Sequence, residues 1–308
     1  MSLSKFSPKM EEFPNFSQDE FNSKIERLYK KYIDVEPTAE NTIDVLNDCI
    51  RELGGLLPVS GTNLSREELW FFRVRTKNSF NDESEIFIPS QHSYLPVEKC
   101  SKHGRCHVKG NPVFYGSGSV HCAVKEMNEQ EQRRYILSIW KLPPQENLHN
   151  INFFRGDDLL NDEFLSFKEQ TLQTTFKLLE VSGDNDKEMV IRHEAAWSNI
   201  FTSNTTHTLS ACIAHYLLYM VPNGRESIIM YPSVKTGEDA NYAVHPFLAD
   251  QMILHKIIDI YVDPETDSHA WVGACDGDSL GNWRAVKETD YPTRDPLTPH
   301  EKAITEIS

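Results

Sequence analysis

Residues 104–117 read GRCHVKGNPVFYGS, and this stretch is the most informative part of the chain. Gly104 and Gly110 flank a basic loop, and the apolar run at residues 112–115 is typical of a short strand. A helix-like segment follows and carries the carboxylate of Glu126. The stretch therefore predicts a loop, a strand and a helix in succession, with one acidic side chain at the end of the helix.

Two other regions of the sequence also combine strand-like apolar residues with basic or polar ones. Residues 70–75 read WFFRVR; far downstream, residues 230–235 read MYPSVK and residues 241–246 read NYAVHP. Together with the first stretch, they spread an arginine, a glutamate and a serine over about half the chain: Arg73, Glu126 and Ser233.

These segments, in this order and at this spacing, resemble the RES domain family, which is named for its Arg, Glu and Ser residues. The resemblance spans about residues 69–246, and one departure is His107, where the family usually has asparagine. The matching segments are FRVR at 72–75, GRC at 104–106, Gly110, PVFY at 112–115, Glu126, YPSV at 231–234 and NYA at 241–243.

The resemblance implies an α+β fold of the ADP-ribosyltransferase type, with a mixed sheet, and an enzyme that degrades NAD by hydrolysis or phosphorolysis. NAD is then the substrate, and neither a separate cofactor nor a metal is predicted. The resemblance also implies toxin-like activity and an antitoxin-like protein inhibitor as a partner. The implied catalytic residues are Glu126, Arg73 and Ser233, and the implied NAD-binding residues are Arg73, Arg75, Arg105, Tyr115, Ser233 and Asn241.

The residue types themselves suit this chemistry. Breaking the bond between nicotinamide and ribose requires stabilisation of a developing oxocarbenium ion, which a carboxylate such as Glu126 supplies. Arginine forks match the pyrophosphate, and an aromatic face holds the nicotinamide ring. Each of these residues also has a structural interpretation that involves no function. Arg73 would be a surface ion-pair partner, Glu126 a solvated helix residue, Ser233 a turn residue and Tyr115 a core side chain.

Two other functions remain open at the level of sequence. The same fold supports a transferase that places ADP-ribose on a macromolecule, and a binding module that has lost turnover would keep the same pocket. The sequence does not choose between water, phosphate and a protein acceptor as the nucleophile.

Composition limits the partners and the compartment. The net charge of −15 disfavours a general nucleic-acid binder, whereas the locally basic regions suit a small anionic ligand. No run approaches the ~18 apolar residues of a membrane helix, and residues 1–16 lack the apolar core of a secretory signal. Six scattered cysteines do not form a disulfide framework. The sequence therefore predicts a cytoplasmic protein that binds neither nucleic acid nor membrane.

Residues 100–107 offer two cysteines and two histidines within eight positions. Zinc sites usually draw their ligands from two separated segments, because one compact run strains the tetrahedron. The pattern therefore favours Cys106 as a small buried residue of the loop over a metal ligand.

The predicted organisation has three parts: a helical extension at residues 1–60, the RES-like domain at residues 61–263, and a C-terminal segment at residues 264–308 that packs on it and ends in a polar tail. Ser17 and Glu20 form a capping box ahead of a first helix that ends near Ile33, and Phe16 and Phe21 form a hydrophobic staple. A second helix is predicted to open at Pro37 and to end at Gly54. The predicted apolar faces of this helical hairpin are Phe21, Ile25, Leu28 and Tyr32, and Ile43, Leu46, Ile50 and Leu53.

Further elements follow from the residue patterns downstream. Strands are predicted at residues 70–74, 85–88, 112–115, 135–142 and 227–230, with a strand-like end to the apolar run at 253–262. Helices are predicted at about residues 119–130, 163–179 and 208–220. Because strands and helices mix without a regular βαβ order, the pattern favours an α+β fold over a doubly wound sheet.

Overall fold

The computed structural model describes residues 14–55, 61–63, 69–127, 134–145, 148–153, 162–181, 183–222, 224–237, 239–262, 269–277 and 283–285. These residues form seven α-helices and one mixed ten-stranded sheet, which confirms the predicted α+β class. Within these ranges, every helix is too short or too polar to cross a membrane.

The helices are α1 (Gln18–Tyr32), α2 (Thr42–Leu53), α3 (Val120–Met127), α4 (Asp162–Leu178), α5 (Asp184–Thr202), α6 (Thr208–His215) and α7 (Pro246–Ala249). The strands are β1 (Gly61–Asn63), β2 (Leu69–Thr76), β3 (Phe114–Ser117), β4 (Arg134–Leu142), β5 (His149–Asn152), β6 (Ser227–Pro232), β7 (Ala240–Val244), β8 (Ile253–Val262), β9 (His269–Gly277) and β10 (Trp283–Ala285).

The sheet has the order β1-β5-β6-β7-β3-β2-β4-β8-β9-β10, and β5 and β6 run parallel while the other neighbours are antiparallel. Strands β2 and β4 pair along the full length of β2, whereas β2 and β3 pair only where Phe72 faces Ser117. The sheet therefore opens between β2 and β3 beyond this point, and Arg73 is the first residue of β2 at the opening.

The start of the first helix is confirmed in detail. The Glu20 amide donates to Ser17 Oγ over 3.3 Å, and Glu20 Oε2 accepts from the Ser17 amide over 2.7 Å. The rings of Phe16 and Phe21 meet edge to face with centroids 5.4 Å apart, as the predicted staple requires. The second helix ends at Gly54, whose φ of 71° is in the left-handed region that favours glycine.

The prediction for the second helix is wrong at its start and on part of its face. Thr38 and Asn41 exchange backbone-to-side-chain hydrogen bonds in a turn, so the helix begins at Thr42 instead of Pro37. Ile43 is 38% exposed and Ile50 is only partly buried. The side chains that face the core are Val45, Leu46, Cys49 and Leu53.

Helices α1 and α2 share a hydrophobic cluster with the rest of the protein. The predicted apolar face of α1 is buried as expected, and it joins a cluster that contains Trp197 of α5 and Ile213 of α6. The same cluster reaches Ile229 of β6 and Ala243 of β7. The N-terminal helices therefore help to cover one face of the sheet, as apolar helix faces usually do.

Several other predicted elements are confirmed, although their ends are shifted: β2, β4, β6, α4 and α6. Helix α6 continues into a π-helical turn at Tyr216–Met220. The strand predicted at residues 85–88 is wrong. Glu83–Phe87 is a 3-10 helix because the Asp82 carboxylate accepts from the amides of Ser84 and Glu85 and caps it. The predicted polar tail lies outside the described residues. The sequence patterns did not predict β1, β5, β7, β9, β10, α5 or α7.

Candidate functional site

The turn from β3 into α3 positions the glutamate of the site. Ser119 caps α3, because its Oγ accepts from the Cys122 amide over 3.1 Å while donating to Asp239 Oδ2 over 2.6 Å. Val120, Ala123 and Val124 are buried under the helix. Glu126 follows Cys122 by four residues, so the two side chains lie on the same side of α3.

The hairpin between β6 and β7 positions the serine. Ser233 follows β6 directly, and its Oγ accepts from the amides of Lys235 and Thr236, each over 3.2 Å. The Ser233 amide donates to the Asp239 carbonyl over 2.7 Å, which closes the loop. Ser233 is 1% exposed, so the tight turn fixes a buried hydroxyl instead of a mobile one.

These two units meet at the carboxylate of Glu126. Its Oε1 accepts a hydrogen bond from Ser233 Oγ over 2.7 Å and another from Asn241 Nδ2 over 2.7 Å. Within the described part of the chain, Oε2 receives no hydrogen bond. Among the described residues, the carboxylate is therefore held through Oε1 alone. The fold thus brings together three of the residues that the sequence analysis selected.

Arg73 lies at the opening of the sheet. Its Nη1 donates to the Tyr115 carbonyl over 2.8 Å, and its guanidinium carbon lies 5.6 Å from the centre of the Phe114 ring. Burial and the neighbouring Arg75 lower the pKa of Arg73 to about 10. Its Nε is buried without a hydrogen-bond partner, and among the described residues no carboxylate pairs with this guanidinium. A partly buried cation with an unpaired donor favours a bound anion.

Tyr115 connects β3 to the glycine-flanked loop. Its hydroxyl accepts from the Cys106 amide over 2.7 Å and lies 2.9 Å from His107 Nδ1. Gly104 has no room for a side chain, because a Cβ there would come within 2.5 Å of the His107 ring. Burial lowers the pKa of His107 and raises that of Tyr115 well above its usual value. His107 therefore keeps a polar contact with Tyr115.

Arg105 anchors the same loop to the end of α5. Its Nη1 donates to the carbonyls of Phe201 and Ser203 over 2.7 and 3.0 Å, and its Nη2 donates to Asn204 Oδ1 over 2.9 Å. The guanidinium also lies 6.0 Å from the centre of the Tyr231 ring. Its predicted role in binding NAD stays a prediction, because these contacts occupy donors that a pyrophosphate would need.

Arg75 makes its contacts with the segment that follows β2. It donates to the carbonyls of Gln91 and Ser79 and stacks on the Phe80 ring, 4.7 Å from its centre. Burial lowers its pKa. These contacts hold the irregular segment that follows β2, and its predicted role as an NAD ligand stays a prediction.

Two residues of the site were missed by the sequence reading. Ser117 Oγ donates to Asn241 Oδ1 over 2.7 Å, and Cys122 Sγ lies 3.5 Å from the same oxygen. The sequence could have indicated Cys122, because it precedes Glu126 by four residues on the predicted helix and therefore lies on the same side. Nothing local pointed to Ser117, because its contact depends on which residue of β7 it faces.

The cysteine and histidine run does not gather into a metal site. The Cys100 thiol donates to the Val108 carbonyl over 3.8 Å, and Cys106 is fully buried. In the described ranges there is no group of three or more histidine, cysteine, aspartate or glutamate side chains arranged to hold a metal ion.

Comparison with known proteins identifies the class. A sequence model of the RES domain matches residues 88–267, more than half of the 308 residues, and the chain therefore belongs to the RES domain family. No curated protein and no solved structure matched the chain. Membership supports an NAD-related module of the ADP-ribosyltransferase type. Glu126, Ser233 and Asn241 lie inside the matched range, whereas Arg73 and Arg75 precede it.

Proposed function

We propose that this protein consumes NAD by cleaving the bond between nicotinamide and ribose. One observation carries the proposal: the carboxylate of Glu126 is fixed through Oε1 by Ser233 and Asn241, while Oε2 has no partner among the described residues. A carboxylate oriented in advance towards a developing positive charge is what this reaction requires.

The chemistry needs little acid catalysis. When the C1′–N bond of NAD breaks, its electron pair leaves with the pyridinium nitrogen, so nicotinamide departs as a neutral molecule. The positive charge passes to the ribose as an oxocarbenium ion, which Oε2 of Glu126 stabilises. Water or phosphate then forms a bond to C1′ of the oxocarbenium ion. If water attacks, the same carboxylate accepts its proton.

Arg73 supplies the contact to the negative part of the substrate. Its side chain is partly buried at the opening of the sheet, and its buried Nε has no hydrogen-bond partner among the described residues. A pyrophosphate would satisfy this donor and neutralise a cation that burial disfavours. Tyr115, whose carbonyl accepts from Arg73, is the aromatic residue that the sequence predicts to hold the nicotinamide ring.

The products identify the nucleophile. Purified protein is incubated with NAD with and without phosphate, and the products are identified by mass. Free ADP-ribose means hydrolysis, ADP-ribose-1″-phosphate means phosphorolysis, and a mass increase on a protein means transfer. Unchanged NAD under all conditions would contradict the proposal and favour a binding module.

Glu126→Gln tests the catalytic assignment. The substitution keeps an oxygen that accepts from Ser233 and Asn241 but removes the negative charge, so we expect a loss of about 10²–10³ in kcat with the fold retained. The matched control is Glu169→Gln on α4, which removes an equal charge from an exposed side chain. Wild-type turnover in the Glu126→Gln variant would show that Glu126 is not catalytic.

A further inference from the structure

The side-chain amide of Asn241 lies between the carboxylate of Glu126 and two protonated groups. Its Nδ2 donates to Glu126 Oε1 over 2.7 Å. On its other side, Oδ1 accepts from Ser117 Oγ over 2.7 Å and from Cys122 Sγ over 3.5 Å. Ser117 and Asn241 are 5% and 6% exposed, and Cys122 is fully buried, so little solvent is available to replace these contacts.

Only one orientation of this amide satisfies both sides. Burial raises the pKa of the Cys122 thiol to about 12, so it stays protonated and remains a donor at neutral pH. If the amide rotated by half a turn, its oxygen would face the carboxylate of Glu126. Its NH₂ group would then face Ser117 and Cys122, and both hydrogen bonds to Oδ1 would be lost.

We infer that Ser117 and Cys122 are positioning residues, which fix the amide direction of Asn241 and thereby hold Glu126 by Oε1 with Oε2 facing the substrate. They act through Asn241 and do not touch NAD. This inference rests on the proposed NAD cleavage for its consequence in catalysis, but the amide orientation itself does not depend on that function.

The fold explains why these two residues share one oxygen. Ser117 is the last residue of β3 and pairs directly with Asn241 of β7, so their side chains project from the same face of the sheet. Cys122 precedes Glu126 by one turn of α3 and reaches Asn241 from the helix. A strand and a helix therefore orient the same amide independently.

Graded substitution of the donor tests this role. We expect Ser117→Ala to lower kcat about fivefold to tenfold, as the loss of one buried hydrogen bond would do, with KM for NAD unchanged. Ser117→Cys, which keeps a weaker donor, should fall between Ala and wild type, and Ser117→Thr should recover most of kcat. Removing both donors in Ser117→Ala/Cys122→Ala should lower kcat further than either single change.

The control is Ser210→Ala. Ser210 is likewise a buried serine, and its hydroxyl donates to the His207 carbonyl. It lies in α6, which packs in a different hydrophobic cluster from α3. It should lose similar stability while keeping kcat. If Ser117→Ala keeps wild-type kcat, or if its loss of kcat is matched by Ser210→Ala, the positioning role is wrong.

A second measurement keeps the inference separate from the proposed function. NMR of the ¹⁵N-labelled protein reports the side-chain amide protons of Asn241 without any substrate. We expect them to exchange slowly in the wild type and in Ser117→Thr, and faster in Ser117→Ala. Absence of NAD cleavage by the wild type would defeat the proposed function alone, whereas amide protons unaffected by Ser117→Ala would overturn the positioning role.

Discussion

Glu194 should make the stability of this protein fall as pH rises, although it lies outside the candidate site. Its Oε1 accepts a hydrogen bond from Thr175 Oγ1 over 3.1 Å, between α5 and α4. Burial raises its pKa from 4.5 to about 7, and the hydrogen bond from Thr175 and the charge of Lys168 oppose this only in part. Between pH 4.5 and about 7, the folded protein therefore holds a proton on Glu194 that the unfolded chain has already released.

The sign and size of the effect follow from this difference. Between pH 4.5 and about 7 the folded state binds more protons, so stability is fully present below pH 4.5 and falls as pH rises through this window. At about 1.4 kcal/mol per pKa unit, the loss approaches about 3 kcal/mol above pH 7. Glu194→Gln keeps an acceptor for Thr175 and cannot ionise, so it should escape the loss.

Thermal melting at pH 4 and pH 8 measures the difference. At about 2 °C per kcal/mol, we expect Glu194→Gln to melt up to about 6 °C above the wild type at pH 8 and close to it at pH 4. Glu169→Gln, which changes the net charge equally on an exposed part of α4, should not gain this pH-dependent advantage. An equal gain in both variants, or none at pH 8, would refute the reasoning.

Two further predictions concern the proposed NAD site. Arg73→Lys should raise KM for NAD about tenfold or more, because a lysine lacks the fork that grips a pyrophosphate; an unchanged KM in steady-state kinetics would make Arg73 a structural residue. Ser233→Ala should lower kcat about fivefold to tenfold and the free energy of unfolding by about 1–2 kcal/mol, since its hydroxyl serves Glu126 and two backbone amides. If the variant keeps full kcat but loses much of its stability in denaturant titration, Ser233 has only a structural role in the turn.

The sequence by itself determined the features that depend on near neighbours. The capping box at Ser17, the staple of Phe16 on Phe21 and the end of α2 at Gly54 were all predicted, because their contacts span only a few residues. The mixed α+β class followed from the succession of strand-like and helix-like runs. The family was recognisable because its motifs keep their order along the chain.

The grouping of the candidate site was decided by tertiary structure. Glu126 meets Ser233 and Asn241 across 107 and 115 residues, and Arg105 meets the end of a helix that the sequence reading missed. No local pattern specifies such partners. The pairing of Ser117 with Asn241 depends on the register of β3 against β7, and a shift by one residue would turn Asn241 to the opposite face of the sheet. The sequence contains the residue types of the site, and the strand register decided that Glu126 is held through Oε1 by Ser233 and Asn241.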